Sequence, residues 1–148
     1  MTDTDILMAY RLQQAEETLH DAATMLTGNF SSRSIVNRSY YAVFYAVLAL
    51  FMSEGISIRT AKHSGIISVF DKEFILSGKI DRRFSKILHR LFDARQEGDY
   101  KELIVVTRDE ASGYVDQASE LICMVKEIIE KRILSNKLKA DARRYAAQ

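Results

Sequence analysis

The chain contains no proline and only six glycines in 148 residues. Proline removes a backbone donor and clashes with the preceding turn, and an interior glycine costs about 1 kcal/mol against alanine, so a chain this poor in both has few places where a helix must stop. Long uninterrupted helices are therefore the expected framework. The glycines become the candidate punctuation.

Apolar spacing divides the chain accordingly. Across residues 5–26, Ile6, Leu7, Tyr10, Leu12, Ala15, Leu19, Ala22, Ala23 and Leu26 recur at helical intervals, with Gly28 and Asn29 as a stop. Ser31 and Ser32 can cap a second helix reaching Ser53, apolar all round from Tyr40 to Met52 and ended by Gly55, which predicts a central helix. A shorter third helix is predicted over residues 64–75. A fourth runs from near Asp81 towards Gln96, with Gly98 as its breaker. Thr107-Arg108-Asp109-Glu110 has the Ser/Thr-x-x-Glu form of a capping box and opens a fifth helix with Val115, Ala118, Leu121, Ile122, Val125 and Ile129 inward. Cys123 lies within that pattern and is expected to be a buried small hydrophobe. The expected fold is all-α: an up-and-down bundle of four to five antiparallel helices over residues 1–131, with residues 132–148 as a basic helical extension or frayed tail.

Composition excludes several function classes. A net charge of +1 means that any basic surface for nucleic acid must be local. One candidate is the tail, where Lys131, Arg132, Lys137, Lys139, Arg143 and Arg144 face a single acid, Asp141. The lone Cys123 excludes an internal disulfide framework and a multi-cysteine zinc site, which suits a reducing cytoplasm. No signal-peptide pattern opens the chain, and the uncharged run 39–53 falls short of the ~20 residues of a membrane span, so a soluble, cytoplasmic protein is expected.

Three segments carry a resemblance. They are Asn37-Arg38-Ser39-Tyr40-Tyr41-Ala42-Val43-Phe44 on the second helix, Lys62-His63-Ser64-Gly65-Ile66 opening the third, and Arg95-Gln96-Glu97-Gly98-Asp99-Tyr100 before the fifth. In order and spacing they resemble the HEPN family (higher eukaryotes and prokaryotes nucleotide-binding), in its small stand-alone prokaryotic type. The resemblance implies a helical bundle, usually a homodimer, often paired with a small nucleotidyltransferase in toxin–antitoxin systems. It also implies, for many members, metal-independent ribonuclease activity.

Such ribonucleases use an Arg followed after four to six residues by a His. The histidine can move a proton near neutral pH while the guanidinium neutralises charge growing on the phosphorus oxygens. Arg95 matches the arginine, but the histidine positions hold Tyr100, Lys101 and Glu102. By the resemblance, catalytic candidates are Arg95, Asp99 and Tyr100. A binding cleft is expected from Asn37, Arg38, Tyr41 and His63, of which the first three share a helical face.

Other patterns compete. Arg83 and His89 also satisfy an Arg-x5-His spacing, but inside the fourth helix, where a chain with twelve arginines readily produces one by chance. Glu17-Thr-Leu-His20 has the Glu-x-x-His form of carboxylate-bridged metal bundles, yet the required second pair is absent, since Thr60 and Lys86 precede His63 and His89 at that spacing. No metal and no cofactor are expected. The leading functional expectation is a homodimeric interaction module, associated with a nucleotide or RNA and a nucleotidyltransferase partner, without a membrane role. The alternative is a metal-independent ribonuclease toxin working through Arg95 with Asp99 or Tyr100.

Overall fold

The computed structural model describes residues 1–58, 62–100 and 105–147, the side chains of residues 97–100 excepted. Five α-helices occur among them: α1 (Asp3–Met25), α2 (Ser32–Ser53), α3 (His63–Phe70), α4 (Arg82–Tyr100) and α5 (Arg108–Ala146), with a π-helical turn (Asp71–Ile75) after α3. Side-chain caps begin α1, α2 and α5. Thr2 and Asp5 cap each other's backbone N–H groups, Ser31 Oγ accepts from Ser34 N–H, and Thr107 Oγ1 accepts from Glu110 N–H.

Cross-bridges give the directions. Arg108, at the start of α5, donates to the carbonyls of Gly28 and Phe30 between α1 and α2, while Arg132 reaches Glu54 beyond the end of α2. Hence α5 runs with α2 and against α1, and Lys126 pairs with Glu16 of α1 at 2.6 Å. Ala94 near the end of α4 packs with Ala111 and Val115 at the start of α5, and Arg83 of α4 pairs with Glu120 further along it. The four long helices thus alternate up and down, as the sequence predicts.

Helix α2 is the axis of this arrangement. Ile35, Val36, Tyr40, Val43, Ala46, Val47, Leu50 and Phe51 are all at most 1% exposed, buried by α1, α4 and α5. By length and composition alone α2 could cross a membrane, but 61% of its apolar window is buried inside the bundle.

Several expectations need correction. Gly98 does not break α4, which continues to Tyr100, because the glycine penalty weakens a helix without forbidding it. Gly55 does end α2, and there φ is +69°, a conformation that only glycine adopts without strain. The third helix is not one α segment through Ile75. It opens into the π turn at Asp71, and Asp71 then accepts from Ser85 Oγ at 2.7 Å and meets His89 Nε2 at 2.6 Å, both on α4. Cys123 is exposed, one position past buried Leu121 and Ile122 and therefore rotated off the inward face. Ile6, Leu7 and Tyr10 are exposed as well, and Met8 covers the core in their place. Beyond Ile129, α5 carries on to Ala146 with every residue exposed.

Candidate functional site

The residues of the three motif segments converge at one side of α2. Tyr40 and Tyr41 are consecutive, so their side chains diverge by about 100° around the helix. Tyr40 turns inward and is fully buried, whereas Tyr41 is half-buried at the edge. Helix α3 begins at His63, with Lys62 providing no side-chain cap. The His63 ring lies on Phe44 at 4.3 Å and 18°, and its Nδ1 is 2.7 Å from the Tyr40 hydroxyl. From α4, Arg95 places its guanidinium 5.4 Å from the Tyr40 ring centre and 5.3 Å from that of Tyr41, and donates from Nη2 to the Tyr41 hydroxyl at 3.1 Å. A cation over two aromatic faces is attracted by their negative quadrupoles, which fixes a long side chain in one place.

The electrostatics follow from that packing. Burial pushes the Tyr40 hydroxyl above the ordinary tyrosine range, with Arg95 opposing, so Tyr40 is a hydrogen-bonding alcohol and not a base. His63 is pushed below the ordinary histidine range, first by burial and then by the positive charge of Arg95. Near neutral pH its imidazole is therefore uncharged. With Nδ1 taken by Tyr40, Nε2 is the ring nitrogen that remains to exchange a proton with a molecule in the adjoining cleft. That cleft, about 550 Å³, is lined by Lys62, His63, Ser64, Phe92, Arg95 and Gln96. It sets a fixed arginine beside a neutral histidine, an anion-binding group next to a proton carrier.

Asn37 and Arg38 do not line this cleft. They lie in a neighbouring groove of about 670 Å³ along the first half of α2, and Tyr41 borders it. Of the residues expected to form a site, Arg95, Tyr41 and His63 are brought together, and Asn37 and Arg38 stand one wall away. The Asp99 and Tyr100 side chains, like Lys101 and Glu102, lie outside the described residues. Arg83 and His89 are engaged separately, with Glu120 and Asp71. Among the described residues no three carboxylate, His or Cys side chains come together as a metal site, and Glu17 accepts from Gln13 of its own helix.

Sequence reasoning missed Tyr40 as the partner of His63, and Phe44 as its stacking surface. One signal was available, because a tyrosine on a helix apolar all round must find a hydrogen-bond partner inside.

Comparison with known proteins bears on the same segments. The profile of the HEPN domain matches residues 8–128. A UPF0332 protein of Thermotoga maritima is 34% identical over 130 residues, covering 88% of this chain and 96% of the relative. Two proteins of Methanocaldococcus jannaschii, each bearing the name "Putative toxin", are 29% identical over 124 residues and 28% over 120, covering 83% and 81% of this chain and 82% and 87% of the relatives.

Proposed function

The chain belongs to the HEPN domain family, and from that membership we propose that it is a toxin-type protein acting on RNA phosphodiesters at the cleft between α3 and α4. One observation carries the reading: Arg95 and His63, from different helices, line a single cleft, with His63 held neutral by burial and by Arg95 itself. On this reading His63, from the start of α3, takes the part of the histidine lacking after Arg95 in the sequence. In this mechanism His63 carries its proton on Nδ1, donated to the Tyr40 oxygen, so that the bare Nε2 accepts the proton of a ribose 2′-OH as its oxygen attacks the adjacent phosphorus. Arg95 neutralises the phosphoryl oxygens, and the departing 5′-oxygen takes a proton from water, leaving a cyclic phosphate and a 5′-hydroxyl.

The names of the two Methanocaldococcus jannaschii relatives support the toxin assignment. A toxin requires restraint, and we assign that part to a small nucleotidyltransferase, with the chain itself acting as a homodimer in the cytoplasm.

The test is incubation of the purified protein, as wild type, Arg95→Ala and His63→Gln, with total RNA in EDTA. Cleavage by wild type alone is the expected result. Intact RNA in every lane, with the protein in its native assembly, overturns the catalytic reading. The reading that then remains is a binding module for a nucleotide and the nucleotidyltransferase. One observation favours that second reading: His63 is gripped by Tyr40 and stacked on Phe44, which suits a fixed binding group as well as a proton carrier.

A further inference from the structure

Residues Arg33, Asn37, Tyr41 and Tyr45 are spaced by four and form one ridge along α2, about 18 Å from end to end. With Arg38 and Phe30 they line the 670 Å³ groove that meets Arg95 at Tyr41. Three features of this groove are unexplained by folding. Arg33 sits in the first turn of α2, where the helix dipole disfavours a cation, and no acid in that turn compensates it. Arg33 and Arg38 are exposed and form no ion pair with any described residue. Phe30 is 54% exposed, yet it is not loosely held: its ring lies over Gly28, and Arg108 clamps the Phe30 and Gly28 carbonyls.

Two unpaired arginines call for anions, and a rigidly mounted exposed aromatic offers a stacking surface. Sequence-tolerant capture of single-stranded nucleic acid combines these two elements, a basic track for the backbone with aromatic faces for the bases. We propose that this groove binds the single-stranded RNA flanking the phosphate at Arg95, with backbone phosphates on Arg33 and Arg38 and one base stacked on Phe30. Asn37 supplies a polar contact between the two arginines, and the Tyr45 hydroxyl one at the far end of the ridge. The proposal rests on the RNA reading above and extends it to a second site, which makes the substrate an unpaired strand and not a duplex. The Tyr41 hydroxyl, already bonded to Arg95, is the junction where the strand passes from groove to cleft.

The experiment is fluorescence anisotropy of the full-length protein with a labelled 2′-O-methyl oligouridine, which lacks the attacking hydroxyl, so that binding is read without cleavage. Titrations are repeated across a series of salt concentrations. Arg33→Ala and Arg38→Ala are each expected to weaken binding and to lower the slope of log affinity against log salt by about 0.7, the value for one lost single-strand phosphate contact. Phe30→Ala is expected to weaken binding roughly 5- to 150-fold with the slope unchanged. Arg90→Ala, which removes one exposed charge on α4 away from the groove, controls for net charge. If the three groove variants bind like wild type while Arg95→Ala loses the oligonucleotide, the groove proposal is overturned and the cleft reading stands. If Arg33→Ala or Arg38→Ala alters sedimentation and leaves affinity intact, the groove is a seam between copies, which also overturns it. Wild type that binds no RNA at all removes both readings together.

Discussion

Replacing Tyr40 by phenylalanine deletes one oxygen from the centre of the site and nothing else. Tyr40 is fully buried and its hydroxyl is bonded to His63 Nδ1 at 2.7 Å, so the deletion breaks one hydrogen bond and leaves the imidazole nitrogen without that partner. A typical net contribution of such a bond is about 1 kcal/mol, and half-exposed His63 can recover part of the loss from water, which keeps the cost well below the ~3 kcal/mol of a fully buried orphan. For a domain of this size 1 kcal/mol corresponds to a fall in Tm of about 3 °C. His63→Phe preserves the stack on Phe44 while removing the same bond from the other side. Urea denaturation of wild type, both single variants and the double variant closes a thermodynamic cycle, with an expected coupling of about 1 kcal/mol. A coupling indistinguishable from zero, or a Tyr40→Phe protein as stable as wild type, would refute the claim that this bond fastens the start of α3 to α2.

Further outcomes are open to direct measurement. Because the His63 pKa is lowered in the folded protein, the unfolded chain binds more protons once the pH drops below about 6.5, so its share of stability is present above that pH and shrinks as acid is added; His63→Phe should flatten this part of the curve in a pH series of urea midpoints. Gly55→Ala introduces a Cβ at φ +69°, where space is open but the backbone is strained, and should lower stability by about 1 kcal/mol in the same assay. Thr107→Ala removes the side-chain acceptor for Glu110 N–H and should cost about 1 kcal/mol, with circular dichroism reporting an earlier melt. Leu91→Ala empties a fully buried position between α4 and α2 and should cost about 2–5 kcal/mol.

The bundle was readable because its signals are local. Ser31, Thr107 and Gly55 each announce a helix end through chemistry within a few residues, and the apolar surround of α2 marks it as the central helix, although its edge at Tyr41, Tyr45 and Leu48 is only half-buried. What the sequence conceals is relational. Periodicity marks Ile6, Leu7 and Tyr10 as apolar, but which turns of α1 meet α2 and α5 depends on how the helices cross, and here Met8 takes the contact. The same limit applies to the site. A search for a histidine a few residues after Arg95 finds none, whereas His63, 32 positions earlier, reaches the same cleft through the turn of α3 against α2. Arg33 and Phe30 escaped notice for a similar reason, since an exposed arginine and an aromatic beside a loop glycine gain meaning only when they share a groove with Tyr41. The π turn at Asp71 has no evident sequence signature, and its pairing with Ser85 and His89 shows only in three dimensions.

Helix α5 joins two thermodynamic regimes in one continuous rod. Its residues up to Ile129 are welded to the core through Ala118, Leu121, Ile122, Val125 and Ile129, and their amides can exchange with water only when the bundle opens. In the exposed stretch from residue 130 to residue 147, about 25 Å long, residues 133–147 have no ion pair or side-chain hydrogen bond to another described residue beside their own backbone ladder, and isolated helices of that length are marginal in water. Hydrogen exchange along this single helix should therefore fall into a slow half and a fast half with a boundary near Arg132, whose ion pair to Glu54 is the last along α5 among the described residues.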